Sequence, residues 1–386
     1  MRLGFDAWGL SGDSLYTGMG RYAATLLENL PVFAPEIQVH AYGGPDEARP
    51  LWLHDSVAWR PAARSVHRKL SALDSRLREL PRLAEQDQLD VFHAPAVHLR
   101  PSLPPVPRLR CPVVATVHDV LPLTFYGTDL PLRLRAFYRW NLRRAVRASA
   151  VVTVSEQSRD DIARLTGTDR ERIAVIPNGV DFTPNVDSAV LRRLRINPPY
   201  LLFAGSYEPR KNLAATLDAY REVVRAGKPH QLVAIVERQS GHAAAIHERI
   251  RDLGLEDRVR LLHSVAEGDL RAVYTQAEMV LFTSLAEGFG LPPVQAAACG
   301  VPVVASDLPV LREILGTNGE FVDPRDPEGI AAAVLRLSDD EPRRRELGAA
   351  GPAIARRFSV EECVRGHIAL YARAAEALAR HAVATA

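Results

Sequence analysis

Residues 283–306 read TSLAEGFGLPPVQAAACGVPVVAS. This segment follows an apolar run and contains two glycines near its start, then a short alanine-rich stretch, and finally a second apolar run. Pro292, Pro293 and Gly300 mark the ends of a short helix, because proline is favoured in the first helical turn and glycine after the last. The segment therefore predicts a strand, a helix and a parallel strand, which is the repeating unit of an α/β fold.

On both sides of this segment, short β-branched apolar runs alternate with longer helical patterns. Such runs are typical of buried parallel strands joined by right-handed crossovers. The 386 residues are about twice a typical domain, and the stretch 181–200 separates two series of runs. We expect an N-terminal Rossmann-like domain at 1–183, a linker at 184–199 and a C-terminal Rossmann-like domain at 200–359, with a helix at 360–386 completing the first domain.

Composition excludes several other classes of protein. Three scattered cysteines are too few for a disulfide framework and lack metal-ligand spacing, which favours a reducing compartment. The N-terminus has no signal-peptide pattern, and no run reaches the roughly 18 apolar residues of a membrane span. The net charge of +2 argues neither for nor against a polyanionic partner. We expect a cytoplasmic protein with no nucleic-acid partner.

Candidate ligand-binding residues of the second series follow its strands, because open parallel sheets bind ligands at the carboxyl ends of their strands. Arg210 and Lys211 follow the strand predicted at 200–205, and adjacent cations there suit a pyrophosphate; the alternative is a solvated basic turn. The backbone amides of residues 288–291 lie at a helix N-terminus, which favours an anion. Glu287 beside them suits sugar hydroxyls, because a carboxylate accepts two hydrogen bonds.

The first series carries comparable candidates. Gly18 and Gly20 follow the first strand and open a helix, where backbone amides can approach a phosphate; the alternative is a flexible loop before a helix. His118 and Asp119 directly follow a buried strand and are placed to meet a polar ligand. His93 ends another strand, and for a lone histidine of this kind a structural role is the better interpretation.

Six motifs, in their order along the chain, resemble family 4 of the retaining glycosyltransferases, and within it the mannosyltransferase B-like branch. They are TGMGRY (17–22), TVHD (116–119), VTVSEQS (152–158), IPNGVD (176–181), EPRKNL (208–213) and EGFGLP (287–292). The resemblance extends over nearly the whole chain and is specific in the combined order. It implies the GT-B fold, with parallel sheets of two Rossmann-like domains facing across a cleft, the N-terminal domain binding the acceptor and the C-terminal domain the sugar nucleotide.

Position by position, the resemblance implies a role for each candidate. Arg210 and Lys211 hold the donor diphosphate, and Glu287 with the amides of residues 288–291 holds the transferred sugar and phosphate. Gly18 and its neighbours close over the phosphates, and His118 helps to place or polarise the reacting centre. The implied donor-binding residues are Gly18, Gly20, Asp119, Gly205, Gly288, Phe289, Gly290, Leu291 and Gln295.

Gln295 departs from the family, which carries a second glutamate at this position to bind the ribose hydroxyls. An amide still hydrogen-bonds a diol but lacks the charge, which puts nucleotide affinity in doubt and, to a lesser degree, activity. This departure motivates a second hypothesis, a non-catalytic protein that binds a sugar nucleotide or a glycan. The motifs are also compatible with a UDP- or dTDP-sugar-dependent transferase of secondary metabolism, and with another GT-B enzyme such as an epimerase or a phosphorylase.

The resemblance also implies the reaction. The anomeric configuration is retained, and fixed positive charge stabilises the departing nucleoside diphosphate. The chain has no Asp-x-Asp triplet, so we expect no metal, and we expect no cofactor. The branch suggests GDP-mannose as the donor, and the acceptor would be a glycan, a lipid-linked glycan or a small molecule.

The segment 131–150 predicts a helix with arginines at every fourth position: Arg135, Arg139, Arg143 and Arg147. Like charges at this spacing destabilise a helix slightly, and an anionic partner would relieve the repulsion. One interpretation is contact with an anionic membrane at its inner face or with a lipid-diphosphate acceptor. The better-supported interpretation is a solvated face of a core helix in an arginine-rich protein.

Overall fold

The chain folds into two compact units, one formed by Met1–Gly179 with Val360–Ala386 and the other by Val180–Ser359. The structure is a computed structural model and describes residues 1–8, 10, 18–44, 47–62, 75–99, 106–236, 241–263 and 265–384.

The predicted linker 184–199 is folded within the second unit. It contains the helix Ser188–Leu194, and the backbone N–H of Asn185 donates to Thr275 Oγ1 at 3.0 Å. The proline-containing composition that suggested a connector therefore belongs to a segment fixed by its own contacts, and the chain passes between units at Gly179–Val180.

Unit 1 is built on a seven-stranded parallel sheet with the order β3-β2-β1-β4-β5-β6-β7. Its strands are β1 Arg2–Asp6, β2 Gln38–Gly43, β3 Ala58–Pro61, β4 Val91–Ala94, β5 Val113–Thr116, β6 Ala150–Thr153 and β7 Ile173–Val175. In the described part of the chain before residue 180, its α-helices are α1 Gly18–Phe33, α2 Leu80–Gln86, α3 Leu121–Thr124, α4 Leu132–Ala145 and α5 Glu156–Thr166, and a π-helical turn lies at Ser75–Glu79.

The sheet of unit 1 is buried on both faces, as the continuous apolar runs predict. Successive residues point to opposite faces, so that Val91 packs into one apolar cluster and Phe92 into the other. Val114 and Ala115 divide in the same way. Helices must therefore cover both faces of the sheet.

Unit 2 is built on a six-stranded parallel sheet with the order β10-β9-β8-β11-β12-β13. Its strands are β8 Tyr200–Ala204, β9 Gln231–Ile235, β10 Val259–Leu262, β11 Met279–Phe282, β12 Val303–Ser306 and β13 Glu320–Val322. Its helices are α6 Ser188–Leu194, α7 Leu213–Arg225, α8 Ala243–Asp252, α9 Glu267–Thr275, α10 Leu291–Ala298, α11 Pro309–Leu315, α12 Pro327–Asp339 and α13 Glu341–Arg356.

The last helix, α14 Val360–Ala384, returns to unit 1. It packs against α1, and its residues Val364, Leu370 and Tyr371 lie in the same apolar cluster as the β1 residues. The C-terminus thus completes the core of the first unit. Among the described residues, no helix is long and apolar enough to cross a membrane.

The strand orders locate the ligand-binding edge of each sheet. In both units the chain builds outward in one direction and then reverses, so that β1 lies beside β4 and β8 lies beside β11. At such a reversal the connections after the two central strands leave in opposite directions and open a crevice at the carboxyl ends. The expected binding edges are therefore the carboxyl ends of β1 and β4 in unit 1 and of β8 and β11 in unit 2.

Candidate active site

The segments after β8 and β11 bring three charged side chains of unit 2 together. Arg210 Nη1 lies 2.9 Å from Glu287 Oε2, and Lys211 Nζ lies 2.5 Å from Glu287 Oε1. The Glu287 side chain is only 7% exposed, and both cations are largely covered. Glu287 therefore accepts from a different cation at each oxygen, and we call these three residues the charged triad.

Burial alone would raise the pKa of Glu287, but the charges of Lys211 and Arg210, with hydrogen bonds from Lys211 and Ser284, keep it below its ordinary value. The carboxylate is therefore ionised at neutral pH. Within the triad two cations face one carboxylate, and Arg210 Nη2 also lies 3.5 Å from Oε2 of the more exposed Glu208. An anionic ligand can replace these carboxylates at cations that are already desolvated and oriented.

Asn212 fixes the triad, although sequence reasoning missed it. It has φ +62°, a left-handed conformation that asparagine tolerates better than most residues, and it follows the short helical turn Pro209–Lys211. Its side-chain Nδ2 donates to Thr283 O at 3.0 Å and to Pro324 O at 2.7 Å. The loop after β8 is thereby tied to the loop after β11. The asparagine inside the EPRKNL motif was the signal that could have identified it.

The amide site was predicted at the turn before α10. Gly290 has φ +123°, and a Cβ there would come within 3.1 Å of Leu311 Cδ2, so this turn requires glycine. Pro292 and Pro293 occupy the first turn of α10 and have no backbone N–H. The backbone N–H groups at this end of the helix are therefore those of residues 288–291.

Three other predicted residues of unit 2 have different surroundings. Gly205 follows β8, and a Cβ there would approach the Phe203 ring at 3.1 Å and Lys211 Cβ at 3.5 Å, so glycine keeps this strand end close to the triad. The Phe289 ring is buried against Phe358, with ring centroids 5.5 Å apart, so its side chain belongs to the core. Gln295 is half-buried on α10, one turn beyond the helix start.

In unit 1, His118 lies on the segment after β5 and is tied to the end of β4. Its Nε2 lies 2.9 Å from the carbonyl oxygen of Pro95. A carbonyl only accepts, so Nε2 carries the proton, and burial lowers the pKa of His118 to about 4. The ring is therefore neutral at pH 7, and since no described residue hydrogen-bonds its Nδ1, this nitrogen can accept a hydrogen bond.

The remaining unit 1 candidates have different positions. Asp119 Oδ1 accepts from the backbone N–H of Leu121, the first residue of α3, at 3.0 Å. Gly18 and Gly20 lie inside the first turn of α1, where a turn before the helix was expected; Gly18 is exposed and Gly20 is buried. Thr17, which begins the first motif, lies outside the described residues.

His93 has the structural role that was preferred for it. It is fully buried, with Nε2 2.8 Å from Thr116 Oγ1 and Nδ1 2.7 Å from the Tyr371 hydroxyl. Within the described ranges, no group of three or more His, Cys, Asp or Glu side chains could hold a metal ion.

The chain matches two family models that together span most of its length. The Glycosyltransferase Family 4 model matches residues 16–184, and the Glycosyl transferases group 1 model matches residues 192–353.

Curated relatives carry related names. The chain is 27% identical over 376 residues to O-antigen chain mannosyltransferase B of Escherichia coli, covering 92% of this chain and 96% of that protein. It is 31% identical over 240 residues to O-antigen chain mannosyltransferase RfbU of Salmonella typhimurium, covering 60% of this chain and 62% of that protein.

Solved structures share the fold. Sucrose-phosphate synthase from Thermosynechococcus elongatus superposes with a TM-score of 0.77 at 18% identity over 97% of this chain and 98% of that chain. HepE from Anabaena, solved with UDP and glucose, superposes with a TM-score of 0.75 at 20% identity over 97% of this chain and all of that chain. The predicted motif order, the two reversed parallel sheets and both family models agree: the chain belongs to the family 4 glycosyltransferases of the GT-B fold.

Proposed function

We propose that this protein transfers mannose from GDP-mannose to a hydroxyl group of a glycan or lipid-linked glycan, with retention of configuration and without a metal ion. The observation that carries the proposal is the charged triad at the β8/β11 reversal. The mannosyl donor and the glycan acceptor are supported by the printed names of the two O-antigen relatives.

The triad suits a diphosphate leaving group. A bound diphosphate offers acceptors to Arg210 and Lys211 that compete with Glu287, and the planar guanidinium can pair with two phosphate oxygens at once. As the glycosidic bond to the phosphate breaks, negative charge grows on the leaving oxygen, and the two cations stabilise it. Glu287, released from one cation, becomes an acceptor for sugar hydroxyls.

His118 supplies a neutral group in this scheme. With Nε2 engaged by Pro95 O, its Nδ1 can accept a hydrogen bond from a hydroxyl of the transferred sugar and so hold the ring in one orientation. We propose that unit 2 binds the nucleotide part of the donor and that unit 1 provides His118, the start of α1 and the acceptor site.

Donor specificity tests the proposal most directly. A thermal-shift series should compare GDP-mannose with UDP-glucose, UDP-N-acetylglucosamine, a dTDP-sugar and the free diphosphates. At about a hundred times the dissociation constant, a ligand stabilises by about 2.7 kcal/mol, which shifts the melting temperature of a chain of this size by a few degrees. We expect GDP and GDP-mannose to raise the melting temperature. A shift with UDP compounds alone would show that the donor is a UDP-sugar and not GDP-mannose.

Transfer itself is tested with the donor that binds. We expect slow release of mannose and GDP without an acceptor, and transfer with one, both unchanged by EDTA. The one-bond C1–H1 coupling of the new glycosidic carbon should show the α configuration of the donor.

Gln295 favours one other function, that of a protein that binds the sugar nucleotide but does not transfer the sugar. Tight GDP binding with neither hydrolysis nor transfer would establish it.

We further propose that the protein works at the inner face of an anionic membrane, docking through α4. The predicted 131–150 helix ends at Ala145, so Arg147 lies beyond it. The exposed side of α4 combines Arg139 and Arg143 with Trp140, 42% exposed, and Leu132, 72% exposed. Arginines suit anionic headgroups, and exposed tryptophan and leucine suit the boundary between headgroups and acyl chains.

Flotation with phosphatidylglycerol vesicles tests the membrane surface, with phosphatidylcholine vesicles for comparison. Each arginine near an anionic surface contributes about 1 kcal/mol, so Arg139→Glu with Arg143→Glu should abolish binding at low salt. The matched control, Arg336→Glu with Arg345→Glu, removes two exposed arginines of unit 2 that pair with Glu320 and Glu341. Equal flotation of both double variants would contradict the surface.

A further inference from the structure

The core of unit 1 contains a chain of buried hydrogen bonds that the proposed reaction does not use. Tyr371 contacts His93, His93 contacts Thr116, Thr116 contacts Tyr22, and Tyr22 contacts His367. These five side chains come from α1, β4, β5 and α14, and all are buried. We call them the neutral network.

Every proton in the neutral network has one position. His367 Nδ1 faces the carbonyl oxygen of Cys363 at 2.7 Å, so Nδ1 must donate. Burial lowers the pKa of His367 to about 4, so the ring is neutral at pH 7 and its Nε2 accepts. The Tyr22 hydroxyl, 2.6 Å away, therefore donates to His367 and must accept from Thr116 at 2.8 Å.

The hydrogen-bond directions are also fixed at the other end of the network. Since Thr116 donates to Tyr22, its oxygen accepts from His93 Nε2. His93 Nδ1 then accepts from the Tyr371 hydroxyl. The Tyr22 hydroxyl therefore donates one hydrogen bond, to His367, and accepts one, from Thr116, so the Tyr22 ring is fixed in position as well as buried.

The Tyr22 ring contacts His118. The two ring centroids lie 4.7 Å apart with the planes at 86°, an edge-to-face arrangement. His118 is thus held at Nε2 by Pro95 O and across the ring by Tyr22. Removing the Tyr22 hydroxyl would leave His367 Nε2 without its donor and Thr116 without its acceptor, and the ring would lose both anchors.

We infer that Tyr22, anchored by Thr116 and His367, is a positioning residue that sets the orientation of His118 for transfer. The inference rests on the proposed function, because it takes His118 as the residue that meets the transferred sugar. It also links the C-terminal helix to the reaction, since His367 lies on α14.

The test is a double-mutant cycle on transfer at saturating acceptor. Tyr22→Phe keeps the ring and removes the hydroxyl, and we expect kcat to fall about tenfold with the donor KM within about twofold, because a reacting group displaced by less than 1 Å costs up to about a hundredfold. The matched control is Tyr200→Phe, which removes a buried hydroxyl that donates to Val273 O at 2.7 Å in unit 2 and should leave kcat unchanged.

The cycle separates positioning from a general structural role. In the His118→Ala background, Tyr22→Phe should have no further effect on kcat. A persistent tenfold loss there would mean that Tyr22 acts through another group, and it would overturn the inference. Full kcat in Tyr22→Phe with impaired His118→Ala would overturn it too, while leaving the proposed function intact.

Two further results complete the test. Full activity of His118→Ala would overturn the role of His118 and, with it, this inference. If Tyr22→Phe does not fold, Thr116→Val provides a second variant, since it removes one anchor of the Tyr22 hydroxyl and keeps the bond to His367. We then expect a smaller fall in kcat in the same direction, again absent in the His118→Ala background.

Discussion

The two units differ in the charge of their buried polar side chains. The charged triad of unit 2 keeps its charges, because each oxygen of Glu287 has a cation at hydrogen-bond distance. The neutral network of unit 1 carries no charge at pH 7, because burial lowers the pKa of its two histidines, His93 and His367, as it does that of the neighbouring His118. A charged site can exchange partners with an anionic ligand, whereas a neutral network with fixed protons holds its members in place.

The substitution expected to have the largest effect on the charged triad is Arg210→Ala. Removing a positioned cation from a leaving group should lower kcat by about a hundredfold to a thousandfold. The measurement is single-turnover transfer at saturating donor, with Arg225→Ala as the control, an exposed arginine paired with Glu222. A rate equal to that of the control would remove Arg210 from the reaction.

Glu287→Gln should separate binding from turnover. The amide keeps the size of the side chain but removes the carboxylate that pairs with Lys211 and leaves Arg210 with Glu208, so the melting temperature of the free protein should fall. GDP should then bind about tenfold more tightly, or about 1.4 kcal/mol, because the diphosphate no longer competes with the carboxylate. Calorimetry measures the affinity; weaker GDP binding would show that Glu287 is not a competitor.

The response to pH should differ between the units. The pKa of an unfolded histidine is about 6.5, whereas burial lowers the pKa of His367 to about 4 in the folded state. Between these values the unfolded chain binds more protons, so stability is full above about pH 6.5 and falls toward pH 4, by at most about 1.4 kcal/mol per pH unit for each such histidine. The groups facing His367 are Tyr22, His93, His118, Tyr371 and Cys363.

The pKa of Glu287 is lowered as well, so its contribution is also lost as the pH falls, but in a lower pH range than that of His367. The stabilising contribution of Glu287 is present above the unfolded value of about 4.3 and is lost only as the pH falls through the lower folded pKa. Hydrogen exchange, corrected for intrinsic rates, should therefore show α1 and β4 losing protection from pH 6.5 to pH 4.5 while β8 and β11 keep theirs. Equal losses in both units would contradict the contrast.

The smallest expected effect belongs to Gln295→Glu. Adding the carboxylate that the family carries at this position should tighten GDP binding by about threefold, because hydrogen bonds to a charged acceptor are stronger than those to a neutral one. Adenosine diphosphate, with the same ribose and a different base, is the comparison ligand. An unchanged affinity for both would show that the ribose is held elsewhere.

The fold was largely predictable from sequence. Apolar runs of strand length between helical patterns predicted the parallel sheets, and these predictions are confirmed. The linker predicted at 184–199 is instead part of unit 2, because prolines also occur in folded segments. The helix predicted over 131–150 is too long, because the spacing of its arginines continues past Ala145, where the helix ends. In the charged site, Arg210 and Lys211 are adjacent in the chain, and Glu287 follows another strand end, so ordinary sheet topology predicts that they meet.

The sequence by itself determined the fold class, the family and the charged candidates, because these depend on periodicity and on motifs of neighbouring residues. Only the tertiary structure decided that Glu287 bridges both cations, that Asn212 joins their loops, and that Tyr22, Thr116, His93, His367 and Tyr371 form one network. Those side chains are up to 349 positions apart, from Tyr22 to Tyr371. Hydrogen-bond direction and burial depend on which groups the folded chain brings within about 3 Å, and no local pattern encodes that.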